Sequence, residues 1–299
     1  MKDAQTLNEI LQAVQKVEVV VNRLANDSMA GAYLSSFKGR GMDFDDLRDY
    51  APGDDVRHID WNVTNRLGRP FVKRYREERE IGMVLVVDVS ASNEYGSTVS
   101  TKRRLAAEVA GTLAFAAARC GDKVGLLLFS DKVELFLRPG KGRRHLLRLL
   151  REVLFFEPTR RGTNPTVALQ GLMHHLKHRA MAILVGDFLC PMDHALVQAL
   201  GQVNARHDLV CIHLHDPCEM VLPEAGITRF EDAETGEILE VDLSREANRE
   251  HYAKINVQRI AALDLVLQRE RVDTLRLETE KPFGAVLQRF FENRPRRRT

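Results

Sequence analysis

The residues with the clearest chemistry are Asp88, Ser90 and Ser92, which stand at alternate positions where the apolar run of residues 81–92, IGMVLVVDVSAS, comes to its end. A turn there brings one carboxylate and two hydroxyls to a point. That donor set suits a hard cation: Mg2+ takes an octahedron of oxygens, keeps several waters and accepts few carboxylates from a protein. Mn2+ is served by the same oxygen ligands. The competing reading makes Ser90 and Ser92 helix-capping hydroxyls and nothing more.

The pattern D-x-S-x-S at a strand end resembles the first motif of the von Willebrand factor A family. The resemblance implies a metal-ion-dependent adhesion site (MIDAS) completed by a Thr and a second Asp from two later loops. This sequence offers Thr163 within RGTNP, and Asp187 after the apolar run of residues 181–185. The implied centre is Asp88, Ser90, Ser92, Thr163 and Asp187 around Mg2+ or Mn2+. Ser90, Ser92 and Thr163 hold the ion directly or through water, the two aspartates hold ordered waters, and one position stays open for an acidic side chain of a partner. Gly186 is a departure, because many relatives carry Ser before the second Asp; no ligand is lost by it.

Such residues need strands that end where they stand. The run over residues 81–88 is Val-rich and lacks Pro, the pattern of a strand buried on both faces. Further strands are expected over 123–129, 132–137, 180–186, 208–214 and 272–277. Helices are expected near 101–119, 143–155, 165–178, 193–206, 245–269 and 283–291. Asn164 as N-cap and Pro165 at N1 fix Thr163 beside a rigid helix start. Strands alternating with helices imply right-handed crossovers and an α/β fold: a doubly wound, mostly parallel sheet in Rossmann-type layers, von Willebrand factor A-like. Ligands of such sheets bind beyond the strands' carboxyl ends at a topological switch point, and both aspartates stand at carboxyl ends. Residues 6–24 place Leu7, Ile10, Leu11, Val14, Val17, Val21 and Leu24 on one helical stripe that needs a surface to cover it.

Residues 38–80 differ in character, with ten Lys or Arg and ten Asp or Glu broken up by Gly and Pro. The charges interleave with Phe44, Leu47, Tyr50, Ile59, Trp61, Phe71 and Tyr75, anchors that disordered segments lack. Arg40-Gly41, Phe44, Arg48-x-Tyr50, Pro52-Gly53-Asp54-Asp55, Arg57, Ile59-Asp60-Trp61, Arg66 and Glu77-x-Arg79-Glu80 together resemble a widespread prokaryotic family, domain of unknown function number fifty-eight, fused to an A-like domain. The division that follows is a helix and charged, β-rich signature subdomain over 1–80, and an A-like domain over 81–299 with a hairpin insertion near 226–242. The hairpin is expected to pack against the signature region. Asp54, Asp55, Arg57, Asp60 and Trp61 are expected to be structural, buried where that subdomain joins the sheet. Relatives are commonly encoded beside AAA+ ATPases of the MoxR type, so the resemblance implies such an ATPase as partner, with a client protein the sequence does not name.

Composition narrows the setting. With 44% hydrophobic and 29% charged residues, 299 residues can bury an ample core. A net charge of +2 is no polyanion-binding excess, so nucleic acid is not an expected partner. No apolar stretch approaches the ~20 residues of a membrane span, and MKDAQTLNEI has no apolar signal region. The cytoplasm is the expected compartment. Cys120, Cys190, Cys211 and Cys218 have no C-x-x-C spacing and read as free thiols of a reducing compartment, the first three buried. Arg294, Arg296, Arg297 and Arg298 read as a solvated basic tail. His174, His175 and His178 read as helix-end charges rather than zinc ligands, and His213 and His215 as structural.

The function expected is a non-catalytic, metal-dependent protein-interaction module, an adaptor for the ATPase. A Mg2+-dependent phosphohydrolase is the alternative, because an Asp at a strand end beside a metal also begins haloacid-dehalogenase-type phosphatases. Those need a second acid two residues on, for general acid and base work, and that position is Ser90. A nucleic-acid-binding protein is the other alternative, opposed by the even charge balance of the Arg-rich stretch 57–79.

Overall fold

In the computed structural model, which describes residues 2–37, 42–52, 54–77, 82–97 and 100–294, two helices, α1 (Lys2–Leu24) and α2 (Asp27–Phe37), precede a hairpin of β1 (Met42–Asp49) and β2 (Phe71–Glu77) that encloses α3 (Trp61–Leu67). An alternation follows: β3 (Gly82–Asp88), α4 (Lys102–Arg119), β4 (Lys123–Phe129), β5 (Val133–Gly140), α5 (Arg143–Phe155), α6 (Pro165–His175), β6 (Ala180–Gly186), α7 (His194–Arg206), β7 (Asp208–His215) and the short α8 (Pro217–Met220). The chain closes with a hairpin of β8 (Ile227–Glu231) and β9 (Ile238–Asp242), then α9 (Glu246–Arg269), β10 (Asp273–Glu278) and α10 (Gly284–Asn293).

Six strands form the central sheet in the order β10-β7-β6-β3-β4-β5, parallel except for β5. This is the α/β, doubly wound, mostly parallel architecture expected from the sequence. From β3 the chain winds one way to β4 and β5, and from β6 the other way to β7 and β10, so the switch point lies between β3 and β6. Those two strands pair in parallel with Val87 opposite Val185, which brings Asp88 level with Gly186.

The alternation along each strand divides the core. Met83, Leu85 and Val87 face one cluster with Val124, Leu126, Leu128, Met181, Ile183 and Val185, covered by α1, α2, α4, α5 and α10. Val84 and Val86 face the other with Leu127, Phe129, Ala182 and Leu184, covered by α6, α7 and α9. Both faces are dry, as a strand with no polar alternation requires. The apolar stripe of α1 finds its surface here: Val14, Val17 and Val21 are buried in the first cluster. Gly111 of α4 permits the approach, since a Cβ there would lie 2.9 Å from Val21 and 2.6 Å from Leu150. The helix α2, which the apolar periodicity does not mark, is capped by Asn26, whose side chain accepts from the Met29 amide at 2.9 Å. It buries Met29 and Tyr33, and the Tyr33 hydroxyl donates to Asp122 at 2.8 Å. The N-terminal helices thus share one core with the sheet.

Three expectations need correction. Arg57 and Trp61 are not buried at a join, their side chain and residue being 88% and 63% exposed, and among the described residues Arg57 pairs with the half-exposed Asp55, at 3.9 Å. Asp60 and Asp55 are instead helix caps, and Asp54 pairs with Arg48 at 2.6 Å. The exposed Arg57–Asp55 pair, at 3.9 Å, contributes little. Arg57→Ala is therefore expected to leave the melting temperature unchanged in a calorimetric scan. The 226–242 hairpin does not join β1 and β2 in one β-rich unit; each is a separate two-stranded sheet, and the later one reaches the end of the central sheet. Arg294, finally, is no solvated tail residue. It is 6% exposed and clasps the starts of two strands, Asp208 at 2.6 Å and Asp273 at 2.8 Å.

Arg40-Gly41, Gly53, Arg79-Glu80 and Arg296, Arg297 and Arg298 lie outside the described residues. All four cysteines are free, and Cys120 and Cys190 are half-buried where full burial is expected. His174 and His175 close α6, with His175 stacked on Phe136 at 4.2 Å between ring centres. His213 is buried, and that burial, helped by His215 and Arg276, pushes its pKa down to about 3, so it packs as a neutral ring against Phe188.

Candidate metal centre

The chain leaves β3 through a tight turn and a short 3-10 segment, Ala91–Glu94, that begins after Ser90. The turn is held from both sides. The Val89 amide donates to the Phe129 carbonyl of β4 at 2.8 Å, and the Ala91 amide to the Arg161 carbonyl at 3.1 Å. Within it the Ser90 amide donates to Asp88 Oδ1 at 2.8 Å, and the Ser90 and Ser92 hydroxyls lie 3.1 Å apart. Asn93 supports the pair from below, its side-chain amide reaching Ser90 Oγ at 3.3 Å. Asp88, Ser90, Ser92 and Asn93 are all buried.

Asp187 follows β6 immediately and is 1% exposed. Its Oδ1 accepts from the Leu189 amide at 3.1 Å, an interaction made possible by Phe188, which takes a left-handed φ of 51°. Gly186 leaves room for Asp88: a Cβ at 186 would lie 3.0 Å from Asp88 Cβ and 3.3 Å from its Oδ2. The departure from Ser thus gives the first aspartate its space. Thr163 sits on the loop before α6, tied at Arg161 to the Ser90 turn and at Asn164 to the Ser130 carbonyl, 2.8 Å away. Asn164 caps α6 and Pro165 opens it, as the sequence implies. The structure therefore brings Asp88, Ser90, Ser92 and Asp187 together at the switch point, with Thr163 on a loop bonded to the same turn.

Three observations bear on whether these residues fit a cation. Asp88 Oδ2 is buried and accepts no hydrogen bond, which is costly for a carboxylate unless something electropositive meets it. Burial, and the neighbouring Asp187, push Asp88 up to about 7, and a bound cation offsets such a shift. Among the described residues no three His, Cys, Asp or Glu side chains gather into a metal-holding group. A set of two carboxylates with hydroxyls matches an ion that keeps several waters, so the donors fit Mg2+ or Mn2+ and do not fit zinc.

Between residues 46 and 261 the chain matches the family model described as "Protein of unknown function DUF58". The chain belongs to the DUF58 family. An uncharacterized protein of Mycobacterium tuberculosis is 29% identical over 290 residues, covering 96% of this DUF58 chain and 90% of its own length. An uncharacterized protein of Mycobacterium avium is 30% identical over 129 residues, 43% of this chain and 75% of the other. Among solved structures, conserved hypothetical protein BatB from Bacteroides thetaiotaomicron is similar with a TM-score of 0.47 at 14% identity, over 72% of this chain and 98% of that one. The SpRpn10 VWA domain is similar with a TM-score of 0.41 at 11% identity, over 70% and 93%.

The residues of this DUF58 chain that the motif does not contain are the charged ones behind it. Lys102, fully buried at the start of α4, donates to Asp187 Oδ2 at 2.6 Å and to Glu219. Burial alone would lower its pKa, but Asp187 and Glu219 outweigh it and hold the ammonium charged. Glu219 is oriented by a capping box on α8, its other oxygen accepting the Asp216 amide at 3.0 Å. One ammonium against two carboxylates leaves that trio at −1, and Asp88 would add a second negative charge when a bound cation draws it into its ionised form. The site stays attractive to a divalent cation. Next to Lys102, Arg103 is also buried and donates to the carbonyls of Val153, Val89 and Phe156, pinning the exit of β3 to the end of α5. Both residues were legible: they lie three positions before Leu105 and Ala106 on the helix face that then buries Leu105, Ala106 and Val109.

Proposed function

We propose that this protein is a non-catalytic interaction module whose site holds Mg2+ or Mn2+ through Asp88, Ser90, Ser92, Thr163 and Asp187, and takes an acidic side chain of a partner as a further ligand. The observation that carries the reading is the buried, unpartnered Oδ2 of Asp88 beside the paired Ser90 and Ser92 hydroxyls. Bound there, the ion supplies an electrophilic position for a carboxylate. The chain's own residues fix the hydroxyl pair, hold Asp88 Oδ1 through the Ser90 amide while leaving its Oδ2 open, and neutralise Asp187 through Lys102. A phosphohydrolase would need a second acid at position 90, and Ser90 supports no acid and base step.

The partner expected from the family resemblance is a MoxR-type AAA+ ATPase, with this chain coupling it to a client. One carboxylate-to-metal bond is small, and a stable interface usually buries about 1,200 Å² or more. The signature region offers the wider contact, since Val56, Trp61 and Leu67 are each more than half exposed there. Calorimetric titration with Mn2+ is expected to show one-to-one binding by the wild type that the Ser90→Ala, Ser92→Ala double variant loses. Co-purification with the ATPase is expected to weaken in EDTA while both proteins stay folded. Equal Mn2+ affinity in wild type and double variant removes the site, and a complex indifferent to EDTA moves the ATPase to another surface.

A further inference from the structure

The hydroxyl of Thr163 donates to Glu234 at 2.6 Å, across 71 positions of sequence. Glu234 stands in the turn between β8 and β9, a hairpin that otherwise lies open to solvent. Ile227, Ile238 and Leu239 are all exposed, as are the turn neighbours Ala233 and Thr235, whereas Glu234 itself is half-buried. Its second oxygen lies against Gly162, 3.7 Å from where a Cβ would stand. Cys190, just past Asp187, has its thiol pushed up to about 12 by burial first and then by the carboxylates Asp187, Asp88, Glu234 and Asp193.

The turn is built to present this residue. Asp232 Oδ1 accepts the amides of Glu234 and Thr235, both at 2.8 Å, the Gly236 amide returns to the Asp232 carbonyl at 2.8 Å, and Gly236 takes the left-handed φ of 73° that closes the loop. A carboxylate held this way is pre-organised toward Thr163. The hairpin behind it is held with little apolar burial, and segments with few buried apolar contacts open at low free-energy cost.

Resting on the metal reading above, we propose that Glu234 is the chain's own carboxylate for the coordination position the cation leaves open, and that a partner's acidic side chain binds by displacing it and lifting the β8–β9 hairpin. The hairpin is then a built-in competitor that sets how strong a partner must be. It also explains why a hydroxyl from the site is committed to an acid of the same chain.

The test compares wild type with Glu234→Gln, a change on an exposed turn that leaves the core untouched, using Mn2+ as the only probe and then acetate as the stand-in for a partner's carboxylate. Water-proton relaxation of the Mn2+ complex counts exchangeable waters on the ion. The variant is expected to bind Mn2+ roughly tenfold more weakly, one anionic ligand being worth about that factor at 1.4 kcal/mol. It is also expected to show one more exchangeable water, and to take up acetate at that position at lower concentration than the wild type, where acetate must first displace Glu234. Equal affinity and equal water count in the two proteins overturn the role of Glu234 while leaving the metal centre standing. Absence of Mn2+ binding in the wild type overturns the metal centre and this inference with it.

Discussion

Lys102→Met is expected to destabilise the fold by about 3–5 kcal/mol, the cost of breaking a buried ion pair by removing one partner. Met is close to Lys in length and can fill the same fully buried position, so the loss is electrostatic. Among the described residues, Asp187 keeps the Leu189 amide and Glu219 the Asp216 amide, with no cationic group hydrogen-bonded to either. Urea unfolding at neutral pH measures the difference. The companion variant, Lys102→Met with Asp187→Asn and Glu219→Gln, replaces the whole charged set by neutral groups and is expected to regain much of the loss. If Lys102→Met alone costs less than about 1 kcal/mol, the range of an exposed pair, the ammonium is not what holds the ends of α4, β6 and α8 together.

Asp88→Asn is expected to change the pH dependence of stability. The folded carboxyl titrates at about 7, above its ordinary value, because burial and Asp187 disfavour its charge. The unfolded chain therefore ionises first as pH rises, binds fewer protons than the folded chain between about pH 4 and 7, and stability falls through that window. The stabilising, protonated condition is complete below the unfolded value and gone above the folded one. Between pH 5 and pH 8 this single group removes roughly 2–3 kcal/mol. Asn keeps the acceptor for the Ser90 amide and cannot ionise, so the variant gains on the wild type by that amount across the interval. His207 and His213, whose pKa values burial lowers, act in the opposite sense at acid pH in both proteins and cancel in the comparison. Chemical denaturation of both at pH 5 and pH 8, without divalent ions, gives the difference; parallel curves would falsify the assignment of a protonated Asp88.

The strands were the most readable part of the sequence, because β3, β4, β6 and β7 are buried on both faces and spell uninterrupted apolar runs. Their mostly parallel arrangement followed once helices were seen between them. The five candidate oxygen ligands were readable as a pattern through the family resemblance, each standing at or beside a strand or helix end. The helix α2 was not: its sequence, DSMAGAYLSSF, is rich in small and hydroxylic residues, and its apolar positions are too few for a periodic stripe. Nor was Glu234 readable as part of the site. An acid in a D-x-E-T-G turn looks like ordinary turn chemistry, and only the folded chain brings it to Thr163. The charged signature misled for a related reason. Acids that cap short helices and acids that form buried pairs carry the same letters, and Asp55 and Asp60 proved to be the former.

The cluster that joins α1, α2 and α10 to the sheet has a consequence for where this protein can be cut. The family match spans 46–261, yet Val14, Val17, Val21, Met29 and Tyr33 lie before it, and Leu275, Leu277, Leu287 and Phe291 after it, all inside one core. A fragment trimmed to the recognisable stretch strips the cover from α4 and removes the strand that pairs with β7, so a raw sheet edge and a bare apolar helix face meet water together. The stretch that the family model matches is thus smaller than what this fold needs to close its core.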